Sequence, residues 1–115
     1  MSLSVSLSAS VDTGGTEPHV VELYRSNITH NLGKMAHAAG IYQQLWRPDE
    51  IGITKASELI APLTEGLALL RSAPERFKQY DASNGWGTCV RFVPWVEAYL
   101  GACVAHPKAD IHVSR

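Results

Sequence analysis

Ser2-Leu3-Ser4-Val5-Ser6-Leu7-Ser8-Ala9-Ser10-Val11 decides the fold class of this chain. Five serines alternate with five apolar residues, so an extended backbone has one apolar face and one hydroxyl face, the mark of a half-buried strand. The next stretch, Asp12-Thr13-Gly14-Gly15-Thr16-Glu17-Pro18, consists of residues that turn chains. A second strand is expected from His19 to Arg25, with Val21 and Leu23 toward the core, giving an antiparallel hairpin whose loop is too long for the tightest turns. At the other end of the sequence Asp110-Ile111-His112-Val113-Ser114-Arg115 alternates again and reads as a third strand joining that hairpin.

Between these strands the period changes. Ile28, Leu32, Met35, Ala39, Tyr42 and Trp46 recur at steps of three and four, which places them on one helical face. Asn27 or Thr29 is the expected cap; Gly33 and Gly40 each weaken the helix, which either continues or divides in two at Gly40, and Pro48 is its end. A second helix from Thr54 carries Ala56, Leu59, Ile60, Leu63, Leu67 and Leu70, with Pro62 kinking it or starting a fresh helix. Ser72-Ala73-Pro74-Glu75 has the capping-box pattern and opens a short helix to about Tyr80. The last helix is expected over residues 88–104 with Cys89, Phe92 or Val93, Val96, Leu100 and Cys103 inward, kinked or delayed by Pro94. The order strand, strand, helices, strand predicts one α+β domain over residues 1–115. Its small antiparallel sheet is the N-terminal hairpin plus the C-terminal strand, covered on one face by three to four helices.

Composition narrows the function classes. Ten Lys and Arg nearly cancel eleven Asp and Glu, for a net charge of −1, with 45% apolar and 18% charged residues over 115 positions. Without a basic block, generic nucleic-acid binding is not expected. No apolar run approaches the roughly 20 residues that span a bilayer. The first Lys or Arg is Arg25, so the N-terminus does not read as an export signal, and a cytoplasmic location is expected. Cys89 and Cys103 are fourteen positions apart. On one continuous helix that is about 21 Å, too far for a bridge, and both read as buried thiols. The serine face of the first strand looks outward, which makes a homodimer through that surface an expectation.

Two polar clusters stand at helix starts. Ser26-Asn27-Ile28-Thr29-His30-Asn31 lies at a strand-to-helix junction, where unpaired amides and the side chains of Asn27, Thr29, His30 and Asn31 suit an anion, or else only cap the helix. Asn84-Gly85-Trp86-Gly87-Thr88 puts two glycines around a tryptophan, so that Asn84 and Trp86 either meet a planar ligand or form a tight turn with a core plug. His30 and His37 are about 10 Å apart along a helix and cannot hold one metal ion unaided; no metal site or cofactor is expected. His30 is the one weak candidate for general acid–base work, and no catalytic residue is assigned. Trp46-Arg47 pairs an aromatic with a cation, a combination enriched at partner contacts and equally at home at a helix end.

The motifs Ser26-Asn27-Ile28-Thr29-His30-Asn31-Leu32, Gly40-Ile41-Tyr42, Leu45-Trp46-Arg47-Pro48, Asn84-Gly85-Trp86-Gly87 and Val113-Ser114-Arg115 carry a resemblance. After Asp12 the chain resembles a group of small proteins from phage and bacterial genomes to which no activity is attached. The resemblance implies an accessory role in a phage-infected cell and transfers no catalytic residue. The expected function is a non-enzymatic domain that binds a small polar or nucleotide-like ligand through Asn27, Thr29, His30, Asn31, Asn84 and Trp86. The alternatives are an interaction or oligomerisation module acting on a host protein through Trp46 and Arg47, and a small enzyme using His30.

Overall fold

The computed structural model describes residues 2–12, 14–81, 85 and 87–115. β1 (Ser2–Val11) pairs antiparallel with β2 (His19–Thr29) on one side and with β3 (Asp110–Ser114) on the other, in the order β2-β1-β3. The α+β class and the three-stranded antiparallel sheet are as the alternation predicts. Leu3, Val5 and Leu7 are fully buried; their cross-strand partners Ile28, Ser26 and Tyr24 share that face, as do Val113 and Ile111. The serines occupy the opposite face, where Ser8 alone is buried and its hydroxyl lies 2.9 Å from Nε2 of His112.

The second strand is longer than its sequence suggests and contains a bulge. Leu7 pairs with Tyr24 and Ser8 with Glu22, so Leu23 is the extra residue. It is 36% exposed instead of facing the core, because a bulge removes one residue from the pleat's alternation. Below the bulge Tyr24 takes the inward place, and pairing continues through Thr29, so that Ile28, the first residue of the helical stripe, belongs to the strand. Ile28 is buried all the same, since strand and helix both turn it toward the same core.

The helical segment opens with a 3₁₀ turn over His30–Leu32, whose N-cap is Thr29: its hydroxyl accepts from the Asn31 amide at 3.3 Å. Helix α1 (Gly33–Ala38) ends before Gly40, which takes φ of 78°, and α2 (Tyr42–Trp46) follows. Gly40 therefore breaks the stripe into two short helices while Leu32, Met35, Ala39 and Trp46 remain buried. A further 3₁₀ turn covers Pro48–Ile51.

Helix α3 (Ser57–Ser72) runs through Pro62 as one element, and the Glu58 carboxylate accepts from the amides of Thr54 and Lys55 just ahead of it. Its start is docked on the sheet: Ala56 N donates to Ala109 O at 3.0 Å, Ile111 N to Thr54 O at 3.0 Å, and Lys55 pairs with Asp110. The capping box at Ser72 is not formed; Ser72 closes α3, its hydroxyl donating to Leu69 O, and Ala73 is the N-cap of α4 (Pro74–Lys78). Helix α5 (Cys89–Ala105) is likewise continuous through Pro94, with the Asp81 carboxylate accepting from the Cys89 amide at 2.8 Å. It packs on α3 and lies over β2, where Tyr24 and Tyr99 stack with centroids 6.0 Å apart and the Trp95 indole donates to Ser26 Oγ at 2.9 Å. Tyr99 is fully buried, whereas Leu100, the expected inward residue, is half-buried. The other expected inward residues, Cys89, Phe92, Val96 and Cys103, are buried, so the difference is confined to this one position, where Tyr99 stacks on Tyr24. Among the described residues no helix is long and apolar enough to cross a membrane.

Candidate functional site

The exit of β2 and the entry to α5 meet. Gly87 is buried with φ of 107°, and a Cβ there would stand 3.1 Å from Asn31 Cβ, 3.2 Å from Thr29 Cγ2 and 3.4 Å from Leu32 Cγ. Glycine suits that approach because of its left-handed backbone, and a side chain there would also press its neighbours aside by a few tenths of an ångström. Beside the contact opens a cleft of about 700 Å³. Asn27 and Thr29 line it from β2, Gly85 and Gly87 from the loop, and Arg91 and Trp95 from the first two turns of α5. Trp95 has its N–H committed to Ser26, so it is held as a fixed aromatic wall. No carboxylate or histidine lines the cleft among the described residues, which leaves Arg91 as its one charged group.

His30 belongs elsewhere. Its ring is turned to Trp46, whose indole N–H donates to Nδ1 at 2.9 Å. Because an indole nitrogen can only donate, Nδ1 is the acceptor and the ring proton of neutral His30 sits on Nε2. Trp46 is 2% exposed and stacks on Tyr42, centroids 5.3 Å apart, while its carbonyl accepts from Arg115 at 2.8 Å. Of the Trp46-Arg47 pair, then, Arg47 is the residue that meets solvent. Its guanidinium donates to Glu50 at 2.8 Å, and hydrogen bonding to Glu50 and then to Tyr42 keeps its proton even more firmly than usual. A second hollow of about 500 Å³ opens over this corner.

The expected ligand residues are thus divided. Asn27 and Thr29 share a cleft with Gly85 and Gly87; Asn31 touches the same contact from its exposed position; His30 lines the second hollow with Trp46 and Arg47. Asn84 and Trp86 lie outside the described residues. Sequence reasoning passed over Arg91, Trp95 and Arg115. The first two were legible as residues one helical turn apart on α5, but nothing local marked them as neighbours of Thr29.

Both cysteines are free and buried in the single helix α5. Burial raises the Cys103 thiol to about 11 and also lifts Cys89 above its ordinary range, with Asp81 adding to the effect at Cys89. Neither is an activated nucleophile. Among the described residues no three His, Cys, Asp or Glu side chains come together as metal ligands. No protein-family model, no curated protein and no solved structure matches this chain.

Proposed function

We propose that this chain is a non-enzymatic accessory domain of the cytoplasm, phage- or mobile-element-related, that binds a small polar or nucleotide-like ligand in the cleft between Thr29 and Trp95. The observation that supports this reading is the contact of Gly87 with Thr29 and Asn31, which makes one cleft of two chain segments. The lining offers what such a ligand needs: amide and hydroxyl groups at Asn27 and Thr29, a cation at Arg91 and an aromatic wall at Trp95. A catalytic pair would need a second positioned ionisable group, and the described lining holds only Arg91.

The test is a titration of adenosine 5′-monophosphate read by the tryptophan indole N–H resonances. The expected result is a saturable shift of Trp95 and of the Gly87 amide, weakened about tenfold by Arg91→Ala, the usual cost of one charge-assisted hydrogen bond. A folded protein whose Trp95 and Gly87 signals stay still at millimolar nucleotide overturns the reading.

A homodimer is the second reading, favoured by the hairpin tip. β3 pairs with β1 only over Ser4–Ser8, so Ala9–Val11 have no partner from β3, and Val11 and Val20 are 44% and 61% exposed there. Light scattering at rising concentration decides it: a constant monomer mass rejects it.

A further inference from the structure

The second hollow differs from the first in charge. The chain as a whole carries −1, yet Lys34, Arg47 and Arg115 all line this one concavity, together with His30 and His37, and no Asp or Glu side chain lines it among the described residues. Glu50 and Asp49 hold Arg47 and Arg115 from outside the lining, at 2.8 and 3.6 Å. Those pairs are substantially exposed and therefore weak, so a bound anion competes with them at little cost. No ion pair engages Lys34 among the described residues.

We propose that this hollow is a binding site for a phosphomonoester, independent of the Thr29–Trp95 cleft. Three cations match a dianion, and the planar guanidinium forks of Arg47 and Arg115 suit phosphate oxygens better than point charges do. The site is also held in place before any ligand arrives. Arg115 donates to the Trp46 carbonyl, Trp46 donates to His30, and that bond leaves the Nε2–H of His30 as a further donor. The organic part of the ester has its own wall. Tyr42 lines the hollow, backed by the buried Trp46 ring 5.3 Å away, and Gly33 opposite leaves open the space of a methyl group, since a Cβ there would lie 3.6 Å from Tyr42 Cε1.

Phenyl phosphate titrated into the ¹⁵N-labelled protein tests the proposal, with Trp46→Phe used only to assign the Trp46 indole signal. The expected result is a saturable shift of that indole and of the Gly33 and Lys34 amides. Lys34→Ala and Arg115→Ala are each expected to raise the Kd about tenfold, the loss of one charge-assisted contact. Arg115 also supports Trp46, so Lys34→Glu, at an exposed position, serves as a second variant that keeps the fold and reverses one charge. Its expected loss is larger than that of Lys34→Ala. The proposal is overturned by a dispersed spectrum with no saturable shift, by an equal response to uncharged benzyl alcohol or to sodium sulfate at the same ionic strength, or by an unchanged Kd in the Lys34 variants. Movement confined to Trp95 also overturns it and assigns the probe to the other cleft.

Discussion

The indole N–H of Trp46 donates to Nδ1 of His30 across 2.9 Å and so ties the end of α2 to the first turn after β2. Between them the chain breaks at Gly40, and neither α1 nor α2 is long enough to be stable alone in water. This bond therefore ties α2 back to the 3₁₀ turn that precedes α1. His30→Ala strands a donor on a side chain only 2% exposed, at an expected cost of about 1–3 kcal/mol. In a Trp46→Phe background the same change is expected to cost about 1 kcal/mol less, since no donor is left unpaired. Urea denaturation of the four proteins gives the coupling; a value of zero shows that the bond contributes nothing.

Two helical glycines should respond to alanine in opposite ways. Gly66 in α3 faces the α1–α2 connection, where a Cβ would overlap Ile41 Cγ2 and come within 3.3 Å of its Cδ1. Gly66→Ala is expected to destabilise by roughly 1–3 kcal/mol, the range for overpacking a core. Gly101 in α5 is exposed with nothing within 4 Å, and Gly101→Ala is expected to stabilise by about 0.5–1 kcal/mol through helix propensity. Thermal melts of the two variants check this contrast, which fails if both move the same way.

Alkaline pH should loosen α5 from the sheet. Burial lifts Cys103 from 9.0 to about 11, and burial, with smaller contributions from Cys103 and Tyr24, raises Tyr99 well above its ordinary 10.0. Both groups are neutral when protonated, so the folded state retains protons that the unfolded state releases. Their stabilisation is complete below pH 9 and declines as pH rises through about 11. Cys103→Ala is expected to flatten the first part of that decline, although it also removes a buried sulfur.

Tyr99→Phe removes a buried hydroxyl that has no hydrogen-bond partner among the described residues, and is expected to be neutral or stabilising at pH 7. Urea midpoints at pH 7, 9 and 10.5 test both alkaline expectations. A loss of more than about 1 kcal/mol in Tyr99→Phe at pH 7 would show that the hydroxyl does find a partner.

The legible parts of this molecule are those governed by nearest neighbours along the chain. Leu3, Val5 and Leu7 alternate with serines and are buried whatever pairs with them; Leu59, Leu63 and Leu70 recur at helical spacing and are buried too. Gly40 weakens a helix by its sequence alone, and the structure divides the helix there through a left-handed backbone that other residues resist. Pro48 and Pro74 stand at helix boundaries as their positions in the pattern predict, but the prolines within helical patterns were less informative. Pro62 and Pro94 lie inside continuous helices, where tertiary packing outweighs the one hydrogen bond each removes.

The candidate sites were legible only in part. Asn27, Thr29 and Gly87 stood out as helix-start chemistry, and the structure brings their segments into contact. Arg91 and Trp95 carried no local signal, and Arg115 stood only in the closing Val113-Ser114-Arg115 motif with no role attached, since an arginine or tryptophan on a helix or at a strand end looks the same whether it lines a cleft or open solvent.

The amino-acid sequence by itself determined the kinds of element and, where the alternation runs unbroken, the side chains that turn inward, such as Leu3, Val5, Leu59 and Leu63, because side-chain direction follows from a period of two or of about 3.6 residues. Only the tertiary structure decided where β2 ends, that Leu23 is expelled by a bulge, that Tyr99 and not Leu100 meets the sheet, and that His30 faces Trp46 instead of the Thr29 cleft. Each of these depends on partners distant along the chain. Local sequence sets a direction only while the periodicity is unbroken; packing decides where it breaks and what each side chain meets.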